Sequence, residues 1–191
     1  KTSMRSDILA AVLIGAVICL ALGFSQSREV WITGAFFDTD DATRMVQVRD
    51  WMAGQAWYDL HMHRLGMADA APMHWTRLVD APLAMLIKSA SLILDPVMSE
   101  RAARLVFPFL LSLGVLTTGA LVAIELVGAS GVLAAVLVLS LSGLSLLQFQ
   151  PGRIDHHAPQ ILLLLTSGLF LLRAMNQKAL RRSGFLAAAC L

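Results

Sequence analysis

Three carboxylates, Asp38, Asp40 and Asp41, fall within the stretch FFDTDDATR, and a second cluster, RIDHH, packs Arg153, Asp155, His156 and His157 into five residues. Carboxylates this close repel one another unless a cation or an arginine neutralises them. The first cluster therefore reads either as a helix cap with solvated charges or as hard oxygen ligands for a divalent cation such as Mg2+, Mn2+ or Ca2+. In the second, an extended backbone would point Asp155 and His157 the same way and His156 the other way. It is either a polar loop at headgroup level or a functional cluster, the default for ionisable groups held between two apolar walls. A third group, MHWTRLVDAP, supplies His74 and Arg77, suited to an anionic group such as a phosphate, and Trp75, which could stack on a sugar or anchor at a membrane interface. His61 and His63 have the spacing of paired metal ligands, but with no third soft ligand in view they are assigned a surface or packing role.

The elements that must position these residues are membrane helices. Of 191 residues, 57% are hydrophobic and only 15% charged, which excludes an ordinary soluble domain. Apolar runs at 8–25, 105–127, 132–149 and 160–175 are expected to span, with a fifth opening at 184. A long external loop, 26–104, lies between the first two. Within it 41–54 reads as an amphipathic helix, with Met45, Val48 and Met52 on one face and Arg44, Gln47 and Asp50 elsewhere. A second juxtamembrane helix is expected at 83–94, bounded by Pro82 and by the Asp95–Pro96 turn. Lys1, Arg5, Lys178, Arg181 and Arg182 put the N-terminus and the last loop inside, so both acidic clusters fall on the external face. The Lys and Arg residues are scattered, giving no footprint for a nucleic-acid partner. Cys19 and Cys190 lie in apolar runs and suggest neither a disulfide framework nor zinc. The sequence starts without Met and stops inside the opening of another apolar run, and is expected to be the N-terminal part of a longer chain.

A spanning helix, an acidic motif opening an external amphipathic helix (DTDDATRMVQVRDWMAG), then a second acidic motif on the next external loop (GRIDHH) resembles the N-terminal half of GT-C glycosyltransferases. The pattern is most similar to the catalytic subunits of bacterial and archaeal oligosaccharyltransferases, and it covers most of residues 8–175. The resemblance implies an all-α, polytopic membrane bundle in the cytoplasmic membrane. It implies transfer of a sugar or glycan from a polyprenyl-phosphate or polyprenyl-diphosphate donor to a glycolipid, polysaccharide or protein acceptor outside. It also implies a divalent cation held by Asp41, Asp155 and His157, where His stands in place of the family's second acid; that departure moves the metal preference towards Mn2+ or Zn2+, or leaves the site without one. Asp38 or Asp41 would act as general base, and Arg77, Arg153, His74, Trp75 and His156 would meet the donor's phosphate or sugar. The alternative is a transporter or flippase of lipid-linked glycans that relays protons through Asp and His, a reading that calls for ionisable groups inside spans, where only Glu125 sits.

Overall fold

The computed structural model describes residues 2–64, 71–176 and 184. It is almost wholly helical, and the chain divides into two compact units. The first comprises Lys1–Ser25, Phe109–Gln150 and His157–Leu191, the second Gln26–Pro108 and Pro151–His156.

In chain order the described helices are α1 (Thr2–Leu22), α2 (Phe24–Thr33), α3 (Thr39–Met52), α4 (Arg77–Ala90), α5 (Pro96–Val127), α6 (Val132–Leu141), α7 (Gly143–Gln148) and α8 (His157–Asn176). Three segments, Met4–Leu22, Pro96–Val127 and His157–Met175, are long and apolar enough to cross a membrane. The expected span at 132–149 is interrupted. Ser142 adopts an extended conformation (ψ 115°), ending α6 after 10 residues, and the chain re-enters a helix at Gly143. Ten residues reach about 15 Å, half the hydrocarbon thickness. The fifth run, past its first residue, lies outside the described residues.

Other boundaries move for local reasons. Asp95 and Pro96 do not end a helix but begin one: Asp95 Oδ1 accepts the N–H groups of Val97 and Met98 at 2.9 and 3.0 Å, with Pro96 at the first helical position, so α5 starts well before 105. Likewise α4 begins at Arg77 rather than at 83 and runs through Pro82, because Thr76 Oγ1 accepts the Leu78 N–H at 3.2 Å and caps it.

The core of the first unit joins Ala11 of α1, Leu116 and Ala120 of α5, and Val132 and Val136 of α6. Small residues let α1 and α6 approach closely. A Cβ at Gly15 would stand 2.6 Å from Val136 Cγ1 and 2.8 Å from Ser140 Oγ. Gly15→Ala is therefore expected to lower stability by roughly 1–3 kcal/mol through overpacking, read as a lower unfolding temperature in detergent, whereas Gly143→Ala meets no atom within 4 Å.

In the second unit α3 packs on α4, and Met45 and Val48 of α3 and Leu83 and Ile87 of α4 are buried. Two arginines of α5 take the carbonyls at and just past the end of α2: Arg101 donates to Trp31 O and Ile32 O at 2.9 and 3.0 Å, Arg104 to Ala35 O and Gly34 O at 3.1 and 3.0 Å. Gly34, at φ +72°, makes the left-handed exit from that helix end. A two-residue antiparallel pairing, β1 (His61–Met62) with β2 (Ala71–Pro72), completes the unit.

Candidate functional site

The site grows from the start of α3. Asp38 is its N-cap, and Oδ1 accepts the N–H groups of Asp40 and Asp41, both at 3.0 Å. One turn into the helix, Asp41 is fully buried. Its Oδ1 accepts the backbone N–H groups of Ile154 and Asp155 at 2.7 and 3.1 Å, and Oδ2 accepts from Arg153 Nη1 at 3.2 Å. A carboxylate on the first acidic motif thus fastens the second, more than a hundred residues away.

The segment is shaped to receive it. Gly152 sits at φ +96°, its N–H donates to Arg104 O at 3.0 Å, and a Cβ there would lie 3.0 Å from Val30 Cγ2. Arg153 pairs with Asp38 as well as Asp41, and its Nη2 is 3.6 Å from Asp155 Oδ2. One guanidinium faces three carboxylates, a ratio that favours a further positive charge. Burial pushes the Asp41 carboxyl up to about 6, against the Ile154 N–H and the Arg153 charge, with Asp38 adding to the rise. In Asp38 desolvation is outweighed by the Asp41 N–H and by Arg153, which hold its carboxyl below the usual range.

Asp155 Oδ1 accepts the His156 N–H at 2.6 Å and also meets His156 Nδ1. The imidazole lies beside Trp75, ring centroids 5.6 Å apart, and Arg44 Cζ is 4.5 Å from the Trp75 ring centre. Asp155, His156 and His157 each offer a ligand atom, all within 4.8 Å of one another, a group that could hold a metal ion.

Asp38, Asp41, Arg153, Asp155, His156 and Trp75 therefore converge. Arg77 goes elsewhere: it is buried, donating to Gln47 O (2.9 Å), Asp80 Oδ2 (3.2 Å), Gln55 Oε1 (2.8 Å) and Asp59 O (2.7 Å). A donor phosphate would have to displace these partners. His74 makes an edge contact with Trp75, centroids 6.0 Å apart, and Trp75 is largely buried, so it forms a wall of the site rather than an open platform for a sugar.

The sequence reading missed the buried set beneath. Arg44 and Gln47, placed on the polar side of α3, are fully buried, whereas Met52 is exposed. Arg44 Nη1 and Gln47 Nε2 donate to Asp80 Oδ1 and Oδ2, each at 2.9 Å. Their three-residue spacing is the only signal that could have paired them on one face.

No family model matches the chain, and no curated protein or solved structure does either.

Proposed function

We propose that the protein is a membrane glycosyltransferase of the GT-C type, moving a sugar from a polyprenyl-phosphate or polyprenyl-diphosphate donor to an acceptor on the external face of the cytoplasmic membrane. The observation that carries this reading is the junction of the two acidic motifs through the Asp41 carboxylate and Arg153. In the chain Asp155 stands two residues before α8, a helix of membrane-spanning length, in keeping with a donor held by a lipid.

In such a transfer the bond between the anomeric carbon and the phosphate oxygen breaks, the phosphate leaves with the electron pair, and an acceptor oxygen takes its place on the carbon. The acceptor's proton goes to a carboxylate. Asp38, with 38% of its side chain exposed, is the base a substrate can reach, while buried Asp41 is the positioning group. Arg153 holds the carboxylates together and His156, oriented by Asp155, lines the site. The donor set is Asp155 with the two imidazoles after it, without Asp41, whose oxygens are taken by Arg153 and the Ile154 and Asp155 N–H groups; it fits a divalent cation, with Mn2+ favoured by the mix of oxygen and nitrogen, and such an ion would stabilise the charge on the departing phosphate.

A proton-relay transporter is less well supported. Glu125, an acid near the end of the Pro96–Val127 span, pairs with Arg173 at 2.9 Å. The test is sugar transfer in proteoliposomes with a labelled polyprenyl-phosphate donor pool. Asp38→Asn keeps the helix cap and should lower transfer about 100-fold or more, as should Asp155→Asn. Transfer at the wild-type rate by both variants would sink the proposal, and a chelator-resistant wild type would remove the cation from it.

A further inference from the structure

The paired histidines of the hairpin acquire in the fold the third ligand that their sequence spacing lacks. Met62 of β1 is buried, and His61 and His63 on either side of it are exposed, as the two-residue period of an extended chain requires. Asp59, two residues before His61, has a part-exposed side chain beside them. Its Oδ1 is 2.8 Å from His61 Nδ1 and its Oδ2 is 3.8 Å from His63 Nε2, and the two imidazole centroids are 6.4 Å apart. We infer that Asp59, His61 and His63 form a solvent-facing binding site for Zn2+, separate from the acidic junction at Asp41 and Asp155.

Three side chains then supply one ligand atom each, two imidazole nitrogens and one carboxylate oxygen, a set that selects a borderline ion over Mg2+ or Ca2+. The two rings, 6.4 Å apart, must turn towards each other to bring each nitrogen to about 2.0–2.1 Å from the ion, and side chains exposed by 54% and 65% have the room to do so. The backbone beneath them is fixed. Asp59 O accepts from the buried Arg77 at 2.7 Å, His61 O accepts from Gln55 Nε2 at 2.8 Å, and the His61 N–H donates to Asp59 Oδ1 at 3.1 Å. The site is thus anchored to the Arg77–Asp80 core while its ligand atoms face solvent. The fourth tetrahedral position is left to water or to a group from a partner.

The experiment is competition of the chelator-stripped protein in detergent against a fluorescent zinc indicator, carried out in an Asp155→Asn, His157→Ala background, which removes two of the three ligands at the acidic junction. The expected result is one equivalent of Zn2+ bound at micromolar or tighter affinity. His61→Ala and His63→Ala should each weaken it by more than about tenfold, with excess Mg2+ without effect. Both side chains are exposed, so the variants keep the wild-type unfolding temperature in the absence of metal, which is measured alongside. Zinc binding unchanged by either substitution, or binding only at millimolar ion, would overturn the assignment. Neither result bears on sugar transfer, which is read with Asp38 and Asp155 variants.

Discussion

Asp80→Asn is expected to cost the second unit about 3–5 kcal/mol, enough to unfold it or to prevent its accumulation. The carboxylate is fully buried and accepts from Arg44, Gln47 and Arg77, so the amide would leave two buried guanidinium groups without a counter-charge. Arg44 has no alternative, since its Nε and Nη2 have no hydrogen-bond partner. The comparison is Asp50→Asn, which breaks the pair of Asp50 with the exposed Arg64 and should change stability by no more than about 1 kcal/mol. Arg44→Met combined with Asp80→Leu should be milder than Asp80→Asn alone, because an apolar pair leaves one lone charge rather than two. Unfolding followed by tryptophan fluorescence reads this directly, with Trp75 4.5 Å from the Arg44 guanidinium carbon. The same ring adjoins His156, so a milder variant that folds should still disturb the site.

What the sequence disclosed, and what it withheld, follows from which forces are local. Long apolar runs announce α1, α5 and α8 by composition, since a spanning helix needs little beyond length and lipid solubility. The break at Ser142 was missed because the run stays uncharged and free of proline through it, and the Ser140, Ser142 and Gly143 cluster that marks it is a weak cue inside an otherwise apolar stretch. Helix starts at Arg77 and Pro96 depended on single capping side chains, Thr76 and Asp95, and were read instead through the nearby prolines. The first motif stood out as three crowded carboxylates and the second as ionisable groups between two apolar runs, and the fold brings Asp41 and Asp155 together. Their neutralising partner came from within the second motif. The burial of Arg44, Gln47, Arg77 and Asp80 was illegible, because amphipathic periodicity counts polar residues as outward. A network that satisfies its own charges inverts that rule, and nothing in the spacing says that Asp80 will lie 36 residues from Arg44 in sequence and 2.9 Å from it in space.

The second large effect concerns Asp41 and is expected to appear in both rate and pH profile. Asp41→Asn keeps the shape of the side chain but removes the charge that Arg153 pairs with, and turns one of the two acceptor oxygens into a donor group. Since Asp41 positions the second motif rather than touching substrate, the loss of sugar transfer should be about 100-fold in kcat with a smaller change in KM, reflecting misplacement of Arg153 and Asp155. The pH profile separates this from simple damage. In the wild type the carboxyl titrates at about 6, above its unfolded value of 3.8, so acidification removes the charge that holds Arg153. Transfer should fall through pH 6 and reach about a tenth of its plateau one unit below. Stability runs the other way at this residue. A carboxyl raised on folding contributes stability that is complete below about pH 4 and lost as the pH rises through 6, whereas Asp38, lowered on folding, contributes stability above its unfolded value of 3.8 that is lost on further acidification. Between pH 4 and 6 activity therefore declines while the Asp41 contribution to folding grows, so loss of transfer there is not unfolding. Asp41→Asn should erase the limb near pH 6 from the residual rate. A variant that kept that limb would assign the titration to another group and the positioning role with it.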